Sequence, residues 1–180
     1  MSDYREEIES RRGGLKQLLS KIPGFKGYIE QEDRRTADKI LRETVANRYN
    51  ELLDWLFAIQ REYVDQGDLE IQDDLESVGV KLRTFIDRIR RASYGYSSFF
   101  DAMNIDQERL DELYEYDNAL LDGVDQFKEI LGALEEAEEE EAMQRRVKEL
   151  DRLARKTVQW ADRRKEVILG DSEIEEEENT

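Results

Sequence analysis

The chain has 180 residues, 45 acidic against 28 basic, a net charge of −17, and neither histidine nor cysteine. Those two absences exclude disulfides, thiolate and imidazole metal sites, Ser-His-Asp and Cys-His relays, and a histidine pH switch. Apolar residues make up 38% and proline occurs once, a balance that suits helices, which need only an apolar stripe each.

The chain opens MSDYREEIES, acidic and polar, without the pattern of a secretory signal. No run approaches the roughly 20 apolar residues of a membrane span. The expected location is therefore the cytoplasm. The first distinctive stretch is Arg11 to Tyr28, RRGGLKQLLSKIPGFKGY, with five basic residues (Arg11, Arg12, Lys16, Lys21, Lys26) and no acid. Leu15, Leu18, Leu19 and Ile22 share one helical face, and Pro23, Gly24 and Gly27 end it, with Phe25 and Tyr28 beyond. A basic amphipathic helix with aromatic anchors is what an anionic membrane surface or an acidic groove binds, reversibly at this charge. The alternative is a helix that folds back onto the rest of the chain. Residues 1–28 are read as an N-terminal arm, 29–169 as the folded body and 170–180 as an acidic tail too poor in apolar groups to fold.

Within the body the hydrophobic period is helical throughout. Ala37, Leu41, Val45, Tyr49, Leu52, Leu56, Ile59 and Tyr63 predict one long helix from about Glu30 to Gln66, with Gly67 as its stop. Ile71, Leu75, Val78, Leu82, Phe85, Ile89 and Ala92 then form an unbroken seam in alternating steps of four and three, the spacing of a coiled coil. The segment Ser93–Asn104, SYGYSSFFDAMN, reads as a connector crowded with Tyr94, Tyr96, Phe99 and Phe100. It is either an exposed docking patch or a cap on the end of the bundle. A third series runs Leu110, Leu113, Asp117, Leu120, Val124, Phe127, Leu131, Leu134. A fourth runs Met143, Val147, Leu150, Ala154, Thr157, Ala161, Arg164, Ile168. Between them EEAEEEEA (135–142) holds no large apolar residue, and a chain reversal near Gly132–Glu141 is favoured over a continuous helix with a rotated seam. Asp117, on a seam position, is either a register-setting polar residue or a residue at the bundle's edge. No stretch alternates with period two. The fold class expected is all-α, an elongated antiparallel four-helix bundle.

Charge divides along the same boundaries. Residues 101–142 carry 16 acids and two bases (−14), residues 143–170 nine bases and four acids (+5), and 171–180 six acids (−6). In an antiparallel hairpin the acids of the third helix would face Arg145, Arg146, Lys148, Arg152, Arg155 and Lys156 of the fourth, choosing helix neighbours more than adding stability.

Chemical motifs are incomplete. Glu135-Glu136-x-x-Glu139 resembles the first half of the Mg²⁺ motif of all-α nucleotide pyrophosphohydrolases, but no Glu-x-x-Asp follows within 143–170. Asp65–Glu76 fails as an EF-hand, with glycine at loop position 3 and glutamate where the turn needs glycine. A ferritin-like site needs histidines, and no Walker pattern occurs. No catalytic, cofactor or metal residues are expected. Nucleic-acid binding by the basic fourth helix is not expected either, against a net −17 and the acidic tail that follows. IPGFKGYIEQEDRRTADKILR (22–42) together with LRTFIDRIRRASYGYSSFFDAMNID (82–106) resembles a group of small prokaryotic helical proteins of unassigned function, marked by an Ile-Pro-Gly-x-x-Gly-Tyr turn and a Tyr-Gly-Tyr-x-x-Phe-Phe-Asp connector. That resemblance implies helices but no activity. The reading that remains is a non-enzymatic scaffold or adaptor acting through helix–helix contacts, with a protein partner or a second copy. Its alternative is a peripheral membrane factor docking through 11–28.

Overall fold

A computed structural model describes residues 16–30, 34–66, 69–102 and 107–169, with side chains described for 16–27, 36–65, 71–92 and 112–164. Six helices follow one another: α1 (residues 16–21), α2 (Phe25–Glu30), α3 (Arg34–Gln66), α4 (Leu69–Ala102), α5 (Gln107–Glu135) and α6 (Glu140–Leu169). No strand occurs among the described residues. The last four are about 45–50 Å long at 1.5 Å per residue and form an all-α bundle.

The apolar series are the core. Leu41, Tyr49 and Leu56 of α3, Leu75 and Phe85 of α4, Val124 and Phe127 of α5, and Leu150 and Ala154 of α6 are each no more than 1% exposed. α3 packs against α4 and α5, and α6 packs against the same two, so α3 and α6 lie across one diagonal and α4 and α5 across the other. Each hairpin, α3/α4 and α5/α6, is antiparallel. Between the hairpins the neighbours run in the same direction: Tyr49 and Trp55 of α3 reach Leu120 and Glu135 of α5, and Lys81 and Arg88 of α4 reach Asp151 and Asp162 of α6. α4 and α5, consecutive in the chain, therefore stand at opposite corners of the bundle.

The reversal between α5 and α6 occupies residues 136–139, as the loss of large apolar residues there predicts. The Glu136 amide donates to Gly132, and Ala142 and Met143 donate to the Glu139 carbonyl, closing the two helix ends. Glu140 and Glu141 occupy the first turn of α6, where carboxylates meet the positive end of the helix dipole.

Two expectations change. Ser93–Ala102 is not a connector loop but the last turns of α4. The step of four and three that ends at Ala92 continues in the sequence through Tyr96 and Phe99, and that periodicity outweighs the weak helix propensity of one glycine and three serines. The side chains of Tyr94, Tyr96, Phe99 and Phe100 lie outside the described residues. The second change concerns the arm, for which folding back onto the rest of the chain is the reading that holds. Leu18, Ile22 and Phe25 are at most 3% exposed and belong to the main core cluster. Ile22-Pro23-Gly24-Phe25 makes a tight turn, with the Phe25 amide donating to the Ile22 carbonyl at 3.3 Å and Gly24 at φ +80°. Proline second and a positive-φ glycine third is the combination a type II turn requires. This turn folds α2 against α3 and sets Phe25 edge-to-face on Tyr114 of α5, ring centroids 6.2 Å apart. Phe25 is a core residue and not a displayed anchor. Phe25→Ala is expected to release α1 and α2 from the bundle at a cost of about 3 kcal/mol. Limited proteolysis then shows faster cleavage after Lys21 and Lys26 while α3–α6 stay protected, and unchanged cleavage there refutes the docking.

Candidate functional site

The residues expected to bind a membrane or partner are dispersed. Arg11 and Arg12 lie outside the described residues, as does the side chain of Tyr28. Lys16 is exposed on α1. Lys21 donates to Asn118 Oδ1 at 2.7 Å and pairs with Asp122 of α5. Lys26 is exposed but also engaged. With Leu18, Ile22 and Phe25 buried, the apolar face that a lipid surface would need is spent inside the protein. No helix among the described residues is long and apolar enough to cross a membrane. No group of three or more acidic side chains among them is placed to hold a metal ion. Glu135, from the motif that suggested magnesium, instead accepts a hydrogen bond from Trp55 Nε1 at 2.9 Å.

The strongest electrostatic feature is buried. Arg164 of α6, 2% exposed, donates from Nε to Asp117 Oδ1 at 2.7 Å and from Nη2 to Asp117 Oδ2 at 3.1 Å. The same Nη2 reaches Asp38 Oδ1 of α3 at 2.7 Å, across the bundle diagonal. Asp38 Oδ2 in turn accepts from Arg42 Nε at 2.7 Å. Two guanidiniums and two carboxylates alternate, so the cluster is neutral. Arg164 Nη1 is buried with no partner among the described residues. Burial pushes the Asp117 carboxyl up from the usual range, against the opposing pull of Arg164. Burial disfavours charge on Arg164 as well, but Asp117 and Asp38 outweigh it and hold the guanidinium more firmly protonated than usual. A planar fork meets one carboxylate through two parallel bonds and still reaches a second, a bidentate geometry that the single nitrogen of a lysine does not offer. Asp117, 1% exposed and bonded to Arg164, does not lie at the bundle's edge. Asp38 and Arg42 escaped sequence reading. Their signal was an acid and a base four apart, each one residue beyond the seam positions Ala37 and Leu41.

The expected ladder between α5 acids and α6 bases is not formed. Arg146 pairs with Glu149 and Arg155 with Asp151, both within α6, while Lys81 of α4 reaches Asp151 at 2.8 Å. Burial opposes the charge on Asp151, but Lys81 and Arg155 more than offset it and hold that carboxyl below the usual range. The basic side chains point outward instead. Arg145, Lys148, Arg152, Arg155, Lys156 and Arg163 are all exposed on the side of α6 opposite Leu150 and Ala154, with Gln159 among them and no acid between Arg145 and Arg163 on that outward arc. Helical spacing of three and four makes them one stripe. The outward side of α5 carries the complement: Glu112, Glu115, Asp122, Asp125 and Glu129, with Glu136 just beyond its end, all exposed. Of these, Asp122 is paired with Lys21 of α1, and Arg155 with Asp151 of its own helix.

Between the stripes runs a shallow groove. Ala119 and Gly123 line it from α5, and Leu153 and Trp160 from α6. Its floor is Tyr49 of α3, whose ring lies 4.5 Å from Phe85 and 5.8 Å from Phe127, and whose hydroxyl donates to the Leu120 carbonyl at 2.9 Å. Trp160 is half-buried under the Lys156 ammonium, 4.9 Å from the ring centroid. No protein family, no curated protein and no solved structure matches this chain.

Proposed function

We propose that this chain is a non-enzymatic helical scaffold or adaptor that works by presenting charged helix faces to other helices. The observation that supports it is the α5/α6 face, where acidic and basic stripes stand outward instead of neutralising one another within the hairpin. Long exposed side chains gain little from pairing in water, so such a pattern contributes little to folding. Its physical consequence is selectivity between surfaces, because opposite stripes steer and like stripes repel.

The test is affinity capture of the full chain from its native host, comparing wild type with Arg145→Glu, Lys148→Glu and Arg152→Glu combined. These positions are exposed and pair with no carboxylate among the described residues, so the bundle is retained. A defined set of co-purifying proteins that is lost with the variant supports the proposal. Identical recovery with both, or no recovery with either, overturns it.

A further inference from the structure

We infer that the occupant of the α5/α6 face is a second copy of the chain, related by a two-fold axis parallel to the bundle, with each basic α6 stripe on the other copy's acidic α5 stripe. The inference rests on the scaffold reading and names its partner.

Charge and geometry select this occupant. The face is divided lengthwise, acid on α5 and base on α6. A uniformly acidic partner, nucleic acid included, would meet the α5 carboxylates, and a uniformly basic one would meet the α6 stripe. A surface divided the same way satisfies both, and the chain itself supplies one. Of the two-fold axes lying in the face, one perpendicular to the helices places α5 on α5 and acid on acid. One parallel to them places α5 on α6 twice, as an isologous interface requires.

The register follows from contacts already fixed within one copy. Tyr49 touches both Leu120 of α5 and Thr157 of α6, which sets those two residues level. Counting from there toward the turn at 136–139 sets Arg152 level with Asp125 and Lys148 with Glu129. An axis parallel to the bundle preserves levels, so these become pairs between copies. Trp160 then faces the second copy's Ala119 and Gly123, the small residues that open its groove. Large aromatics in pockets ringed by charge are where interfaces concentrate their affinity. Two adjoining helices of this length offer about 900 Å² per copy, near the roughly 800 Å² per partner of a stable interface.

Sedimentation of the full chain decides it. Wild type is expected at twice the chain mass. Arg145→Glu/Arg152→Glu/Lys156→Glu and Asp125→Lys/Glu129→Lys/Glu136→Lys are each expected to sediment as monomers with helical content unchanged by circular dichroism. An equimolar mixture of the two is expected to restore a dimer, because the acids placed on one copy's α6 then meet the lysines placed on the other's α5, and the two unaltered stripes also meet. Trp160→Ala keeps every charge and is expected to weaken association at least about tenfold. A wild type that stays monomeric, reversal variants that dimerise like wild type, or a mixture that remains monomeric overturns the inference. A monomeric wild type that still captures a defined protein removes the second copy and leaves the scaffold reading standing.

Discussion

Replacing Arg164 by methionine is expected to lower the unfolding free energy by about 3–5 kcal/mol, read as a fall in the urea midpoint without change of slope. The side chain's volume is kept, so the loss is electrostatic. Asp117 and Asp38 are left buried, Asp117 with no cation bonded to it and Asp38 with only Arg42. Replacing the ions together tells cost from purpose. Asp38→Leu, Arg42→Leu, Asp117→Leu and Arg164→Met combined are expected to regain most of the loss, since an apolar core needs no compensation for desolvated charge. A single Arg164→Met variant as stable as wild type refutes the ionic arrangement. The cluster joins α3 to α6 across the diagonal, where the backbones are not in contact. That makes it a means of telling one hairpin arrangement from another when the apolar seams are similar.

The second expectation changes sign with its background. A Cβ added at Gly123 would lie 2.7 Å from the Tyr49 hydroxyl oxygen but 3.9 Å from the ring carbon that bears it. Gly123→Ala alone is therefore expected to destabilise by about 2–3 kcal/mol, through overpacking and the weakened hydrogen bond to Leu120. Tyr49 cannot simply turn aside, because Phe85 and Phe127 hold its ring. Tyr49→Phe removes the clashing atom and costs about 1 kcal/mol, because the Leu120 carbonyl still accepts a bond within its own helix. In that background Gly123→Ala is expected to be neutral or to stabilise by up to about 1 kcal/mol, the ordinary helix preference for alanine over glycine. Thermal unfolding of the four proteins in this cycle measures the coupling. Additive effects would show that the close approach of Tyr49 to α5 is not what excludes a side chain at position 123.

Much of the fold was legible from spacing alone. The four apolar series mark the four buried faces, and the acidic gap at 135–142 marks the reversal, because a helix without large apolar residues has nothing to hold it to a core. Seam positions occupied by Asp117 and Arg164 already carried half of the ionic cluster. The connector was misread because Tyr-Gly-Tyr-Ser-Ser resembles a turn locally, whereas the register of Tyr96 and Phe99 belongs to α4. Phe25 was misread because Pro23 and Gly24 mark where the helix stops, whereas the direction in which the type II turn sends the chain, back onto Tyr114, depends on packing against α3 and α5.

Composition and periodicity by themselves determined the helical class, the bounds of α3 to within a few residues, the place of the reversal between α5 and α6, and the lack of histidine and cysteine chemistry. Each of these depends on neighbours along the chain. Only the tertiary structure decided which helices adjoin, that Asp38 and Arg164 meet across the diagonal, and that the charges of α5 and α6 point outward. Those depend on the rotation of one helix about its axis relative to the others. A segment's charge is the same whichever way the helix turns, but its partner is not.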